Sequence, residues 1–479
     1  MTDDSQEKKE VIMEILKSLI DLGNTYIGTY LLIVLLLFAG FYFTFCTKFV
    51  QFRLFKEMFR ILGEGVGKSS KDGKVSSFQA FCISTASRVG TGNIAGVAIA
   101  IATGGPGAVF WMWIIALIGG ASSFIESTLA QIYKVKDKSG AYRGGPAYYI
   151  EKGLNKRWLG LVFSILITIT FGFVFNAVQA NTIAESFQTA FGMDKLVIGI
   201  ILAVVSGIIF FGGVQRVAKI SEVIVPVLAV AYVFVTVLVL ILNFTQIPAV
   251  IKLIVTNAFD ISSFSSGAFG AMFIAGVKRG LFSNEAGMGS APNAAATAEV
   301  SHPVKQGLIQ TLGVFTDTLL ICSCTAFMIL LSGSYTNSNL EGIQLTQHAL
   351  TSEIGAFGNY FIAFCILLFA YSSIIGNYYY GESNIEFMST KKLYLVTYRI
   401  IVIGMIIFGS LTKVAIVWDM ADLFMSFMAI VNLIAILLLG NIAIKALKNY
   451  TDQKKMGIKE PVFKASDIPG LKNVEQWQD

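Results

Sequence analysis

The sequence predicts an all-α, polytopic membrane protein of eleven transmembrane helices. One extra N-terminal helix precedes a five-plus-five inverted repeat that contains two discontinuous helices. Three observations predict this class. The 479 residues are 55% hydrophobic and 14% charged, with a mean hydropathy of +0.69; a soluble domain carries roughly 25% charge and has no room to hide so much apolar side chain. Eleven apolar runs can each cross a hydrocarbon core, which takes about 20 helical residues. Two of those runs are broken by glycine and polar residues, and they stand at matching places in two groups of five.

The composition excludes disordered, collagen-like, secreted disulfide-rich and ordinary cytosolic classes. The net charge of +6 belongs in cytoplasmic loops and gives no ground for nucleic-acid binding. Cys46, Cys82, Cys322, Cys324 and Cys365 lie in or beside apolar runs. Their spacing matches neither a disulfide framework nor a zinc site, so they read as buried small hydrophobes. The polar start, MTDDSQEKKE, lacks the basic region and short apolar core of a signal peptide.

The runs fall at 25–46, 78–102, 107–133, 158–190, 196–213, 220–244, 264–300, 305–332, 355–386, 393–411 and 416–444. Stretches 11–20 and 48–63 read as amphipathic interfacial helices, and 247–262 as a short extracellular helix. Alternate loops and the C-terminal tail hold 26 of the 36 lysines and arginines, against 6 in the other loops and the N-terminus. That bias places the N-terminus outside and the C-terminus in the cytoplasm. The segments are then an extracellular start (1–24), the extra helix (25–46), a cytoplasmic amphipathic linker (47–77) and a first repeat (78–244). An extracellular connection (245–263), a second repeat (264–445) and a cytoplasmic tail (446–479) follow.

The first broken run reads Ser84-Thr-Ala-Ser-Arg88-Val-Gly90-Thr-Gly92-Asn93-Ile-Ala-Gly96, and the second Gly276-Val-Lys-Arg279-Gly280-Leu-Phe-Ser-Asn284-Glu285-Ala-Gly287-Met-Gly289-Ser-Ala-Pro292-Asn293. Interior glycine costs a helix about 1 kcal/mol relative to alanine, so such clusters predict unwinding in mid-membrane. Unwound backbone survives there only where protein or a water-filled cavity satisfies it. Without the extra helix, the breaks are first and sixth of ten spans, the arithmetic of an inverted repeat with a midplane site. The rival reading is close packing, since Gly92-x-x-x-Gly96 is a small-xxx-small pattern. Freed amides suit a carboxylate, and freed carbonyls suit an ammonium or a hard cation such as Na⁺. An amino acid carries both charges.

Other polar residues in the spans have two readings each. Ser372 and Ser373, after Tyr371, either complete a cation's oxygen shell or bond the carbonyl one turn back. Asn176, Gln179 and Asn181 either line a cavity or join helices. Glu126 is placed to accept amides from a broken helix. Arg88, Arg279 and Glu285 read as structural or gating groups, and Asp317 as such a group or as a holder of a cation or proton. His302 and His348 fall in loops and read as ordinary surface residues.

These motifs carry a resemblance. Ser87-Arg-Val-Gly-Thr-Gly-Asn-Ile-Ala-Gly96 with Gly104-Gly-Pro-Gly-Ala-Val-Phe-Trp-Met-Trp113 closely resembles the alanine/glycine:cation symporter family. So do Tyr142-Arg-Gly-Gly-Pro-Ala-Tyr-Tyr-Ile150, Val178-Gln-Ala-Asn181 and Arg279-Gly-Leu-Phe-Ser-Asn-Glu-Ala-Gly-Met-Gly-Ser-Ala-Pro292. The likeness runs from about 25 to 445, with no departure in the core motifs. That family is similar in fold to the sodium-coupled amino-acid transporters with a five-plus-five repeat. The resemblance implies uptake of alanine or glycine across a cell membrane, coupled to Na⁺ and less often to H⁺, with no other cofactor.

The resemblance also implies roles. Around Gly90, the amides of Thr91 and Gly92 would hold the substrate carboxylate. Carbonyls near Arg88, Phe273, Ile274 and Gly276 would take its ammonium. Ala86 and Val89 carbonyls with the Ser372 and Ser373 hydroxyls would hold one Na⁺, and Glu126 would brace the second broken helix. Asn93, Asn176, Gln179 and Asn181 are further substrate contacts on this reading, while Phe273 and Ile274 would limit side-chain size. Two other classes fit poorly. Channels build filters from several subunits or repeats, and an embedded enzyme needs a nucleophile–base pair or metal ligands at depth.

Overall fold

The computed structural model describes residues 14, 17–65, 75–137, 140–211, 214–260, 267–337 and 340–478. The chain is nearly all helix. In order, the helices are α1 (Lys17–Cys46), α2 (Phe55–Gly65), α3 (Ser77–Arg88), α4 (Gly92–Gly104), α5 (Gly107–Ile132) and α6 (Pro146–Leu154). Next come α7 (Arg157–Phe191), α8 (Lys195–Phe210), α9 (Val214–Leu242), α10 (Ile247–Ala258), α11 (Ala268–Asn284) and α12 (Ala291–Ala295). The last are α13 (Val304–Leu331), α14 (Gly342–Ile354), α15 (Phe357–Met388), α16 (Lys392–Leu411) and α17 (Val414–Lys455).

Local chemistry sets these boundaries. Ser76 and Gln79 form a capping box at the start of α3, Asp194 accepts the amides of Leu196 and Val197 at the start of α8, and Gly192 ends α7 at φ +67°. These contacts satisfy polar groups that every helix end leaves free.

Among the described residues, eight helices are long and apolar enough to span a membrane. The other three expected spans are the two that break and the 16-residue α8, so the architecture is compatible with eleven. Helices at like positions of the two repeats pack together, α5 on α13 and α7 on α15.

Four details differ from expectation. The expected helix at 11–20 lies largely outside the described residues, and its described end is continuous with α1. The stretch expected as a loop at 333–354 contains α14, which is half-buried and too short for a search tuned to 20-residue apolar runs. His348 lies on that helix and is exposed, whereas His302 is fully buried. Cys46, expected to be buried, is exposed.

His302 is enclosed by the rings of Tyr450 at 5.0 Å and Phe463 at 5.2 Å, which the sequence does not place beside it. The terminal segment causes this. Residues beyond α17 fold back, and the Phe463 amide donates to the Ser301 carbonyl at 3.0 Å.

Two outcomes test this packing. A Cβ at position 409 would lie 2.3 Å from the Ala177 carbonyl oxygen and 2.5 Å from its Cα, whereas one at 404 on the same helix meets nothing within 4 Å. Gly409→Ala should lower the melting temperature in detergent, by ~1–3 kcal/mol of overpacking, while Gly404→Ala leaves it equal or higher. Burial pushes the His302 imidazole down from 6.5 to about 4, against the Asn449 contact. The unfolded chain therefore takes up a proton before the folded one does. Stability is complete above about pH 6.5 and falls as pH drops towards 4. His302→Asn should flatten that slope in a melting-temperature profile.

Candidate functional site

The first break follows Arg88. Val89 is extended (φ −78°, ψ 92°), and α4 opens with a π-helical turn at Gly92–Gly96. The Gly90 amide, diverted from the helix ladder, donates to Asn93 Oδ1 at 3.0 Å. The Thr91 amide donates to Gln179 Oε1 on α7 at 3.1 Å. On the carbonyl side, Ser373 Oγ lies 2.9 Å from the Ala86 oxygen and 3.4 Å from that of Val89. Ser372 Oγ lies 3.4 Å from the Ala86 oxygen. Both hydroxyls also reach the Phe369 carbonyl one turn back, which is the backbone-bonding reading of this pair. Only glycine fits at 90, where a Cβ would stand 2.3 Å from Ser373 Oγ and 2.8 Å from Gln179 Oε1.

The second break is the loop between α11 and α12. Glu285 takes a left-handed φ of +56°, and Gly287 and Gly289 follow at +82° and +89°, conformations that glycine adopts without strain. Their amides donate to Glu126 of α5, Gly287 N to Oε1 at 3.2 Å and Gly289 N to Oε2 at 3.1 Å. Asn432 of α17 donates to the same carboxylate at 2.7 Å and to the Gly287 carbonyl at 2.9 Å. Tyr149 of α6 in turn donates to Asn432. Glu285 accepts from Ser290, and lies 3.2 Å from Ser87 Oγ, which is also 2.7 Å from Asn377 Oδ1.

Asp317 joins the two breaks. It sits in a π-helical stretch of α13, Thr316–Cys322. Its carboxylate accepts from Asn93 at 2.6 Å, Ser283 at 2.7 Å and Thr318 at 3.0 Å. Cys322 Sγ touches the same Asn93 and Ser283 groups at 3.3 and 3.0 Å.

Above Gly92, on the side away from the tail, three aromatic rings pack in a row. Phe282 lies 4.6 Å from Phe175 and 4.7 Å from Trp418. Over them Arg279 pairs with Asp422 of α17, its guanidinium 4.9 Å from the Trp418 ring. Beyond Trp418 opens a cavity of about 180 Å³, lined in part by Ala95, Asn181, Glu185 and Gln344.

Several expected residues lie elsewhere. Gly276 packs on α5, where a Cβ would stand 2.6 Å from the Ala108 carbonyl oxygen, and the Phe273 ring rests on Trp111 at 4.8 Å. With Ile274 they lie six or more residues before Phe282, about 9 Å or more along the helix. Phe282 and Ser283 are the α11 residues that face Gly92. The glycines at 276 and 280 serve packing, so a break read from glycine content alone began too early. Asn176 bonds its own helix at the Gly172 carbonyl, 3.0 Å away. Asn181 ties α7 to the Gly409 and Thr412 carbonyls. Of that trio, Gln179 alone reaches a break. Arg88 is buried and donates to the Gln310 carbonyl at 3.2 Å. Asp422, Trp418, Phe175, Ser283 and Asn432 escaped the sequence reading. Asp422 and Asn432 stand out only as polar residues in a long apolar run.

Glu126 anchors this arrangement through charge-assisted hydrogen bonds, which contribute about 1.5–3 kcal/mol each. Glu126→Gln leaves a side chain with one acceptor where three donors converge. It should lower the melting temperature in detergent and abolish solute uptake into proteoliposomes, whereas Glu460→Gln, at an exposed position beyond α17, leaves the melting temperature within a degree or two (~0.5 kcal/mol).

Residues 13–465 match a family model described as the sodium:alanine symporter family. The chain is 58% identical over 466 residues to a Bacillus subtilis (strain 168) protein named probable sodium/glutamine symporter GlnT, covering 97% of each chain. It is 57% identical over 462 residues to the amino-acid carrier protein AlsT of the same strain, covering 96% of this chain and 98% of the relative. The sodium/proton-dependent alanine carrier protein of Bacillus sp. (strain PS3) is 39% identical over 433 residues, covering 86% of this chain and 96% of the relative. Among solved structures, MhsT in complex with L-phenylalanine aligns with a TM-score of 0.51 at 15% identity, over 84% of this chain and 93% of that one. A Na⁺-coupled sialic acid symporter in a substrate-bound outward-open state aligns with a TM-score of 0.51 at 14% identity, over 84% and 86%. At such identity they share the fold. An all-helical, multi-pass architecture, two braced helix breaks and a match over nearly the whole length place this chain in the sodium:alanine symporter family, whose members are secondary transporters and not enzymes.

Proposed function

We propose that the protein is a Na⁺-coupled symporter of a small neutral amino acid that works by alternating access. The observation that carries this reading is the oxygen set at the first break. Two serine hydroxyls of α15 stand against the Ala86 and Val89 carbonyls, the donor chemistry of a hard monovalent cation. The substrate carboxylate would lie beside the amides of Thr91 and Gly92, with Gln179 released from Thr91 as it binds. Cation binding holds α15 on α3 and favours the outward form. Substrate then bridges the breaks, and one bundle rocks against the other. The N-terminus lies outside and the C-terminus in the cytoplasm, with 78–244 and 264–445 as the two repeats.

Alanine or glycine is the preferred substrate on this reading, because Phe175, Phe282 and Trp418 crowd the space above Gly92. Glutamine is the second reading, supported by the name of the 58% identical relative. Proton coupling is the alternative for the ion, and Asp317 is the group that would carry the proton.

Three measurements decide. Uptake of labelled alanine into proteoliposomes should require an inward Na⁺ gradient; uptake driven by a pH gradient alone would overturn Na⁺ coupling. Ser372→Ala/Ser373→Ala should weaken the apparent Na⁺ affinity about tenfold or more, since each contact to a charged group contributes on the order of a tenfold factor. Phe282→Ala should let glutamine and leucine compete with alanine where the wild type excludes them; glutamine outcompeting alanine in the wild type would favour the second substrate.

A further inference from the structure

The last twenty described residues, 459–478, run back across one end of the bundle and are anchored there. Phe463, Ile468, Val474 and Trp477 are buried. The Trp477 indole donates to the Gln131 carbonyl at the end of α5, 2.8 Å away. The Asn473 amide donates to the Lys152 carbonyl at 3.0 Å, and Glu475 pairs with the Lys152 ammonium. Lys134 stands 4.9 Å over the Trp477 ring and donates to the Ala298 carbonyl at 2.9 Å. The Gln131 side chain donates to that same carbonyl at 3.0 Å. Ala298 in turn pairs with Val75 in a short parallel bridge, where the Glu299 amide donates to the Val75 carbonyl at 3.0 Å. Val75 directly precedes the Ser76 cap of α3. A continuous chain of contacts thus leads from Trp477 to the first turn of α3.

The surroundings of α3 indicate what that turn controls. Thr85, Arg88, Gln306, Gln310 and Asn377 line α3, α13 and α15 between the breaks and the tail, and each has a buried polar atom without a hydrogen-bonding partner in the protein. Buried polar groups are ordinarily satisfied. Water entering along this polar seam would meet those groups if α3 swung away from α13 and α15.

We propose that the C-terminal segment is an autoinhibitory latch, which holds α3 in place through Trp477, Gln131 and the Ala298–Val75 bridge and so slows opening to the cytoplasm. The proposal rests on the alternating-access reading, with this end of the bundle facing the cytoplasm. Release of the segment raises the population of the inward-open form.

The test uses the full-length protein in proteoliposomes, with Thr85→Cys as a reporter. Maleimide labelling of that cysteine is measured over the same protein without it. Trp477→Ala should raise the labelling rate about fivefold, the shift that loss of one net hydrogen bond gives a two-state equilibrium, and should raise the initial rate of Na⁺-driven uptake. Glu475→Lys, at a half-exposed position, opposes Lys152 and should act in the same direction without touching the core, so a Trp477 variant that fails to fold does not remove the test. Labelling unchanged or lowered in a folded variant would overturn the latch. Labelling needs no substrate, so a wild type that takes up no amino acid defeats the transport reading, while the labelling still judges the latch.

Discussion

The architecture depends on one constraint. Peptide groups released by unwinding a helix in hydrocarbon have no water to turn to, and each costs several kcal/mol unless protein supplies a partner. Glu126 meets that demand at the second break, taking two glycine amides on separate carboxylate oxygens and a third donor from Asn432. This one side chain fixes the distance between α5, the unwound loop and α17. Tyr149 then holds Asn432, so α6, which lies outside the expected spans, is bound to the same centre.

The first break is satisfied by a different chemistry. Serine and threonine hydroxyls stand opposite the carbonyls of Ala86, Asn93 and Ile94, and side-chain amide oxygens stand opposite the amides of Gly90 and Thr91. A neutral hydroxyl or carboxamide is exchanged for a ligand at far lower cost than a buried carboxylate. The two breaks therefore differ in kind: one is clamped by a charge and serves as a fixed frame, the other is held by groups that ligands can replace. Asp317 stands between them and reads both, through Asn93 and Ser283.

Much of this was legible in the residues. Apolar run length located most of the long helices to within a few residues, because it reflects the thickness of the hydrocarbon core, but α1 begins eight residues before the expected span and α17 continues eleven residues past it. The breaks were legible from glycine beside polar residues, and the bracing by Glu126 from an isolated carboxylate in an apolar helix. The register inside the second break was not. Gly276 and Gly280 carry the same letter as Gly287 and Gly289, yet the first pair lets α11 approach α5 and the second takes positive φ. Composition cannot separate those uses. The pairing of Arg279 with Asp422 and the burial of His302 were hidden for another reason: each depends on a segment more than 140 residues away in sequence.

α17 reaches all three regions. It carries Asp422 beside the aromatic row, Asn432 at the Glu126 centre and Asn449 against His302. At 1.5 Å per residue its 42 residues extend about 63 Å. Asn432 is held by α5, α6 and the unwound loop, with Asp422 about 15 Å along one arm of the helix and Asn449 about 26 Å along the other. If the helix pivoted at that clamp, its ends would move in opposite directions and unequal amounts, each ångström at the ion pair becoming about 1.7 Å at the far end.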